Sequence, residues 1–466
     1  MRTKDPPQLL GVQLAGGLDE KVTPFAGISL LIELMRHYDL SALCNRVLPA
    51  KKSPKGLSAG KMVECLVALS ALGGECVDDF AVLRNDSGLA ALLDYVPPAP
   101  PTVRDFLARF HDEKLLALRP EQGEFVPPES AGLLGLGLVN RRVVHSYVAG
   151  LKPGAEVTLD VDAHLVETAK EEALVCYDGH RAYQGLLVQW AEAGLVLADQ
   201  FRDGNVRPAY GIKELTDRAH EALPPGEWKV RVRSDSAAYE HEVLDHWNGR
   251  KWEFAVSADM SPQLRREIGK LPESEWHFWA KDADGKVREW AEGAYVPSRS
   301  PESKVAPVYR YVAVRVRPAQ QGILLDDGGD CTEVRHFAVV TNRWDLDGQA
   351  LLQWHRGKAG TIEHVHRVLV DELAASVYPS GKFGVNAAWL RLQVLTYNLL
   401  ELLKAGVLPE ELRHARPKRL RFVVFSQFGR VVSHARILLM RVATRFFERL
   451  VRPAERRMRL LALPSG

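Results

Sequence analysis

The sequence is short of cysteine and of net charge, and it has no long uncharged run. Its five cysteines, Cys44, Cys65, Cys76, Cys176 and Cys331, are odd in number, and no pair has CxxC spacing. Neither a disulfide framework nor a structural zinc site is expected, and a reducing compartment fits. No uncharged stretch reaches the roughly 18 residues of a membrane span. The opening MRTKDPPQLL breaks at prolines before any apolar run, so no signal peptide is expected. These absences point to a cytoplasmic location and no membrane partner. A net charge of +2 says little about partners. What remains is ordinary globular composition, 46% hydrophobic and 26% charged, in a chain long enough for about two or three domains.

The charge is unevenly placed. From Arg413 to Arg459 there are fourteen Lys/Arg against two Asp/Glu, with Arg416, Lys418, Arg419 and Arg421 near the start of the run. Such a bias suits a polyanion such as nucleic acid. The plainer reading is a solvated helix face.

Apolar periodicity divides the chain. Residues 1–130 read as helical: GISLLIELMRHYDLSALCNRVL and SAGKMVECLVALSALGG repeat apolar residues at spacings of three and four. Ser58 is placed to cap the second helix and Gly73-Gly74 to end it. A proline-rich connector then leads into a short basic helix that carries Arg104, with Thr102 as its expected N-cap. Small helices with a basic last member resemble a helix-turn-helix unit, and equally a plain bundle. From about residue 155 the pattern turns to β. EVTLDVDAHLVE, YQGLLVQWAEAGLVLADQF and EWKVRVRSDSAAY read as strands, with helices between and after them. Residues 150–265 form one such region and 266–345 a second, β-rich one, in which the polar, glycine-rich QQGILLDDGGDC separates the last two strands. The helical period returns over 346–400 and persists through 401–466. The expected class is α/β with helical flanks.

TLDVDAHLVE raises the functional question. Alternation puts Asp160, Asp162 and His164 on one face of a strand, the two carboxylates about 7 Å apart along the chain. Two acids on one face repel unless solvent, a base or a metal compensates; a pair of exposed acids on an edge strand is the bland account. Asp235, in RSDSAAY, ends another strand, where α/β folds place ligand chemistry, and it would also serve as a helix N-cap. LLQWHRGKAGTIEHVHRVLVDELAAS reads as a helix that contains or begins after Gly360-Thr361, with Thr361 as its expected cap. Glu363 and Arg367 share a face there, as an exposed ion pair would. His364 and His366 lack any zinc spacing.

Taken together, DVDAHLV, RSDSAAY, a β-rich insertion, WHRGKAGTIEHVHRVLVDELAA and YPSGKFGVNAAWLRLQVLTYNLLELLK resemble, in this order, the DDE transposases of bacterial insertion sequences, in particular the IS1380-type branch of the IS4-like group. The resemblance covers roughly residues 20–450. The glutamate-helix stretch and the FGVNAAW…YNLL stretch are its most specific parts. It implies an RNase H-like catalytic core with a β-rich insertion before the last acid. It also implies two Mg²⁺ ions, for which Mn²⁺ would substitute, held by Asp162, Asp235 and Glu363, with Asp160 as the alternative to Asp162. His164 stands where relatives often have threonine. Relatives also carry tyrosine, arginine and lysine at set offsets around the glutamate; here Arg356, Ala359 and Val370 occupy those positions. Arg356, Lys358 and Arg367 are the nearby candidates for holding phosphates. Trp354 would stack on a base or lie in the core. The implied partners are transposon terminal inverted repeats and target DNA, bound by a homodimer in a synaptic complex and therefore nucleoid-associated. Two metal ions would serve the attacking and leaving oxygens of phosphodiester cleavage and joining, and hard oxygen donors suit Mg²⁺.

Overall fold

The computed structural model describes residues 8–9, 12–13, 21–50, 55–283, 285–293, 309–317, 334–434 and 437–464. The N-terminal prolines, Cys331 and the QQGILLDDGGDC stretch lie outside them. Short helices fill the segment from Ala26 to Ala108. Ser58 accepts a hydrogen bond from the Lys61 amide at 3.4 Å, and Gly73, at φ 95°, ends the helix Ala59–Leu72 (α1) as expected. Thr102 does not cap its helix. Pro100–Ala108 starts earlier, with Ala99 at the N-cap and prolines in the first turn, where their fixed φ and missing N–H cost nothing. A longer helix, Ala131–Leu151 (α2), leads into the sheet.

The sheet has nine strands: Glu156–Glu167 (β1), Ala182–Trp190 (β2), Leu195–Asp203 (β3), Lys229–Ser234 (β4), Glu253–Ser257 (β5), His277–Lys281 (β6), Val287–Gly293 (β7), Arg310–Arg317 (β8) and Arg335–Thr341 (β9). Their order is β3-β2-β1-β4-β5-β9-β8-β7-β6. β1 pairs antiparallel with β2 and parallel with β4, and β4 pairs parallel with β5. The fold is therefore mixed α/β. β1 lies inside the sheet, which rules out the edge-strand account of its acids. The β-rich stretch forms no separate sheet: β9 pairs with β5 through Val339↔Ser257, Val340↔Val256 and Thr341↔Ala255 and so prolongs the same one.

After β9 come the helices Gly348–Arg356 (α3), Ile362–Glu372 (α4) and Phe383–Gly406 (α5). α5 is buried all round, as a helix with no polar face must be, and one hydrophobic core runs from the N-terminal helices through α5 to the sheet. Its polar residues are ties. Asn398 accepts from the Val196 amide at 2.9 Å and donates to the Val196 carbonyl at 2.7 Å, which satisfies backbone on the edge strand β3. Arg391 places all five N–H groups. Asp199 lies 3.0 Å from Nε, Glu129 is held at 2.8 and 2.9 Å, and the Leu133 and Asp199 carbonyls take the rest. Burial pushes the Glu129 carboxyl up, but Arg391 and Arg218 outweigh it and hold it at about 2. A carboxyl depressed in the folded state stabilises above its unfolded value and loses that contribution as pH falls. Acid titration of stability should therefore fall between about pH 4.5 and 2, and Glu129→Gln should flatten that segment; an unchanged slope by circular dichroism would contradict the assignment.

The C-terminal region departs from the helical expectation. Gly429–His434 (β10) and Ile437–Val442 (β11) pair antiparallel, and β10 also pairs with Val22–Thr23. Clustered valine, isoleucine and leucine favour strand over the basic helix that charge counting suggested. Among the described residues, no helix is long and apolar enough to cross a membrane.

Candidate active site

Asp160 and Asp162 leave β1 toward the same side but meet different surroundings. Asp160 is 0% exposed. Register sets it opposite Arg233 on β4, whose Nε donates to Oδ1 at 2.6 Å and whose second guanidinium nitrogen donates to Oδ2 at 2.8 Å. The Thr361 hydroxyl also donates to Oδ2. Burial pushes the Asp160 carboxyl up, against the pull of Arg233 and Thr361. Arg233 further donates to the Trp354 carbonyl at 2.6 Å. The Asp160–Arg233 pair thus fastens the end of α3 and the head of α4 to the sheet, and both oxygens of Asp160 are engaged. Thr361 holds the N-cap position of α4, but its hydroxyl turns to Asp160 and to the Lys358 carbonyl at 3.0 Å and caps no amide.

Asp162 and Asp235 each come directly after Val161↔Ser234, the last registered pair of β1 and β4. Asp162 is partly buried. Lys358 Nζ donates to its Oδ1 at 2.8 Å from the turn Gly357–Gly360 between α3 and α4. His366 Nε2 lies 3.4 Å from Oδ2 without forming a hydrogen bond. The His366 ring packs 5.2 Å from that of His164. Burial, with the neighbouring His164 and Lys358, pushes His366 down to about 3, so it is neutral at ordinary pH. Asp235 is exposed; its Oδ1 accepts from the Ala237 amide at 3.1 Å, the expected capping role. His355 Nε2 lies 3.0 Å from the Ser234 carbonyl and holds α3 against the end of β4. Burial pushes His355 down to about 4, leaving it a neutral donor.

Glu363 sits exposed in the first turn of α4, with no hydrogen bond or ion pair among the described residues. It precedes His366 by about one turn and shares the face that His366 turns to Asp162. The expected Glu363–Arg367 pair does not form; both side chains point into solvent. Asp162 therefore lies on β1, Asp235 just past the end of β4 and Glu363 in the first turn of α4. Their ligand atoms are not all within 4.8 Å of one another; among the described residues that closeness occurs in Cys176, Asp178 and His180, on the turn between β1 and β2. His364 is partly buried.

The basic and aromatic candidates divide. Arg356 is exposed, its guanidinium 4.8 Å from the Trp279 ring centre. Trp354 is partly buried, with Arg343 at 4.8 Å and Arg233 at 5.6 Å from its ring. Its ring packs against guanidinium groups and the core cluster under β8 and β9. Arg104 is exposed and paired with Asp78 at 2.6 Å. Arg416 pairs with Glu372, while Lys418 and Arg419 are exposed. Arg421 turns inward: it donates to the Ser70 and Ala71 carbonyls at 2.9 Å and to that of Glu372. The last carbonyls of a helix lack regular intrahelical partners, and Arg421 donates to those at the end of α1. Sequence reading passed over Arg233 and His355 and assigned Thr361 only a cap. The alternation in KVRVRS was the available signal, since it places an arginine on the acid-bearing side of a neighbouring strand.

No curated protein matches the chain. The cryo-EM structure of the piggyBac transposase synaptic complex with hairpin DNA is similar over 84% of this chain and 78% of that chain, at 10% identity and a TM-score of 0.43. The family model described as Transposase DDE domain group 1 matches residues 12–461, nearly the whole length. A match of that extent shows the family: the chain belongs to the transposases of DDE domain group 1.

Proposed function

We propose that this protein cleaves DNA at the ends of its own insertion sequence and joins the freed 3′-hydroxyls to target DNA, with Asp162, Asp235 and Glu363 as its metal-holding carboxylates. One observation carries the reading. Asp162 and Asp235 come directly after Val161↔Ser234, the last registered pair of the parallel strands β1 and β4, and α4, which bears Glu363, is tied to β1 through Thr361, while Asp160 is sealed by Arg233. The donor set fits two Mg²⁺ ions. All its atoms are hard oxygens, and Asp235 and Glu363 are open to solvent. When bound, such ions, or Mn²⁺ in their place, would supply Lewis-acid assistance to the attacking and leaving oxygens.

The chain's own residues do the positioning. The Asp160–Arg233 clamp and His355 fix the head of α4 relative to β1 and β4, which sets where Glu363 stands. Arg356 and Arg367, exposed on either side of that head, would hold phosphates, as would Arg104, Lys418, Arg419 and Arg416 farther out; such contacts position DNA and do not read its sequence. In this reading the unit β3-β2-β1-β4-β5 is the RNase H-like core and β6–β9 its β-rich insertion. The helical regions grip the transposon ends, and two copies form the synapse. The order of motifs supports the IS1380-type branch.

The test is incubation of the purified protein with Mg²⁺ and DNA that carries the sequences flanking its own gene. End-specific cleavage with joining supports the proposal. Cleavage without joining would make the protein a nuclease; binding without cleavage would make it a DNA-binding relic.

A further inference from the structure

Lys358 is the charge that this reading leaves unexplained. It is 7% exposed, and a buried ammonium is costly unless paired. Its partner is the Asp162 Oδ1, at 2.8 Å. The Gly357–Gly360 turn that carries it is fastened at both ends, by the Trp354 carbonyl to Arg233 and by Thr361 to Asp160. Gly357 lies tight against that clamp, since a Cβ there would come 2.4 Å from an Arg233 nitrogen. Beyond it the turn is looser, with Ala359 exposed and open space around Gly360. Between its anchors, the tie from this turn to the sheet is the Lys358–Asp162 pair.

We infer that Lys358 is an internal cation that holds the Asp162 position in the metal-free protein and has to leave it before a divalent cation binds there. The inference rests on Asp162 being a metal ligand. An ammonium and a dication on one carboxylate repel, so each excludes the other. A displaced Lys358 would stand at the mouth of the site, free for a DNA phosphate, which links metal binding to DNA binding.

The experiment is Mn²⁺ binding to the full-length protein without DNA, read by electron paramagnetic resonance. Lys358→Met, which keeps the length and removes the charge, should bind Mn²⁺ at least about tenfold more tightly than wild type, the scale on which one neighbouring charge shifts a site. Lys358→Arg should bind no more tightly than wild type. Asp162→Asn should abolish the gain in the double variant. Hydrogen exchange on unaltered protein is the check that does not depend on how the variants fold: added Mn²⁺ should speed exchange in the peptide spanning 357–361. Wild-type binding that is lost in Asp162→Asn but unchanged or weaker in Lys358→Met, with no exchange response, would overturn the inference and leave the metal site standing. Absence of Mn²⁺ binding in every form would overturn the metal site and the inference together.

Discussion

Asp162→Asn, Asp235→Asn and Glu363→Gln should each lower DNA cleavage by at least about a thousandfold, because each would remove a ligand from the proposed metal centre, which would contribute several kcal/mol to charge stabilisation in the transition state. Binding to the same DNA should change little, since the proposed phosphate contacts are made by the exposed arginines and lysines. Asp235 and Glu363 give the cleaner tests, as both are exposed. Asp162→Asn keeps an oxygen that accepts from Lys358, so its fold should persist. Cleavage in a gel assay and binding by filter retention separate the two effects. A Glu363→Gln enzyme that cuts at the wild-type rate would remove Glu363 from the site.

Asp160→Ala should fail differently. Asp160 lies under Arg233, itself 6% exposed; removal of one member of such a pair leaves a buried charge uncompensated and costs about 3–5 kcal/mol. The loss should appear in urea unfolding, whereas Glu363→Gln should stay within about 0.5 kcal/mol of wild type. The double replacement Asp160→Leu with Arg233→Met should recover part of the loss, because a buried ion pair exchanged for apolar residues of similar volume is often neutral. If Asp160→Ala proved as stable as wild type but inactive, Asp160 would be a ligand and the clamp reading would be wrong. The pairing of these two experiments decides between the adjacent aspartates, which alternation along the strand leaves equivalent.

How much of this was legible in the sequence depends on the range of the interaction involved. The α1 cap at Ser58 and the stop at Gly73 are local events, decided by a hydroxyl or a positive φ within a few residues, and the sequence carries them. The same holds for β1 and β4 as strands and for Asp235 at a strand end. Local rules misread where two demands competed. Thr361 stands at a helix start, yet its hydroxyl goes to a buried carboxylate 201 positions away in the chain. Arg421 belongs to a basic run, yet its guanidinium completes the end of a helix some 350 positions earlier. β10 and β11 lie in a stretch that charge counting favoured as helix, and β10 finds its second partner near the N-terminus.

By itself, then, the sequence determined the mixed α/β class, the helical and β-rich stretches, and the short list of acids. Periodicity, capping and the order of motifs are properties of neighbours along the chain. Only the tertiary structure decided that Asp160 is clamped by Arg233 while Asp162 pairs with Lys358, and that the β-rich stretch prolongs the sheet. Those outcomes depend on register between strands and on which groups share a desolvated space. Both are set by contacts between residues far apart in the chain, and no local pattern encodes them.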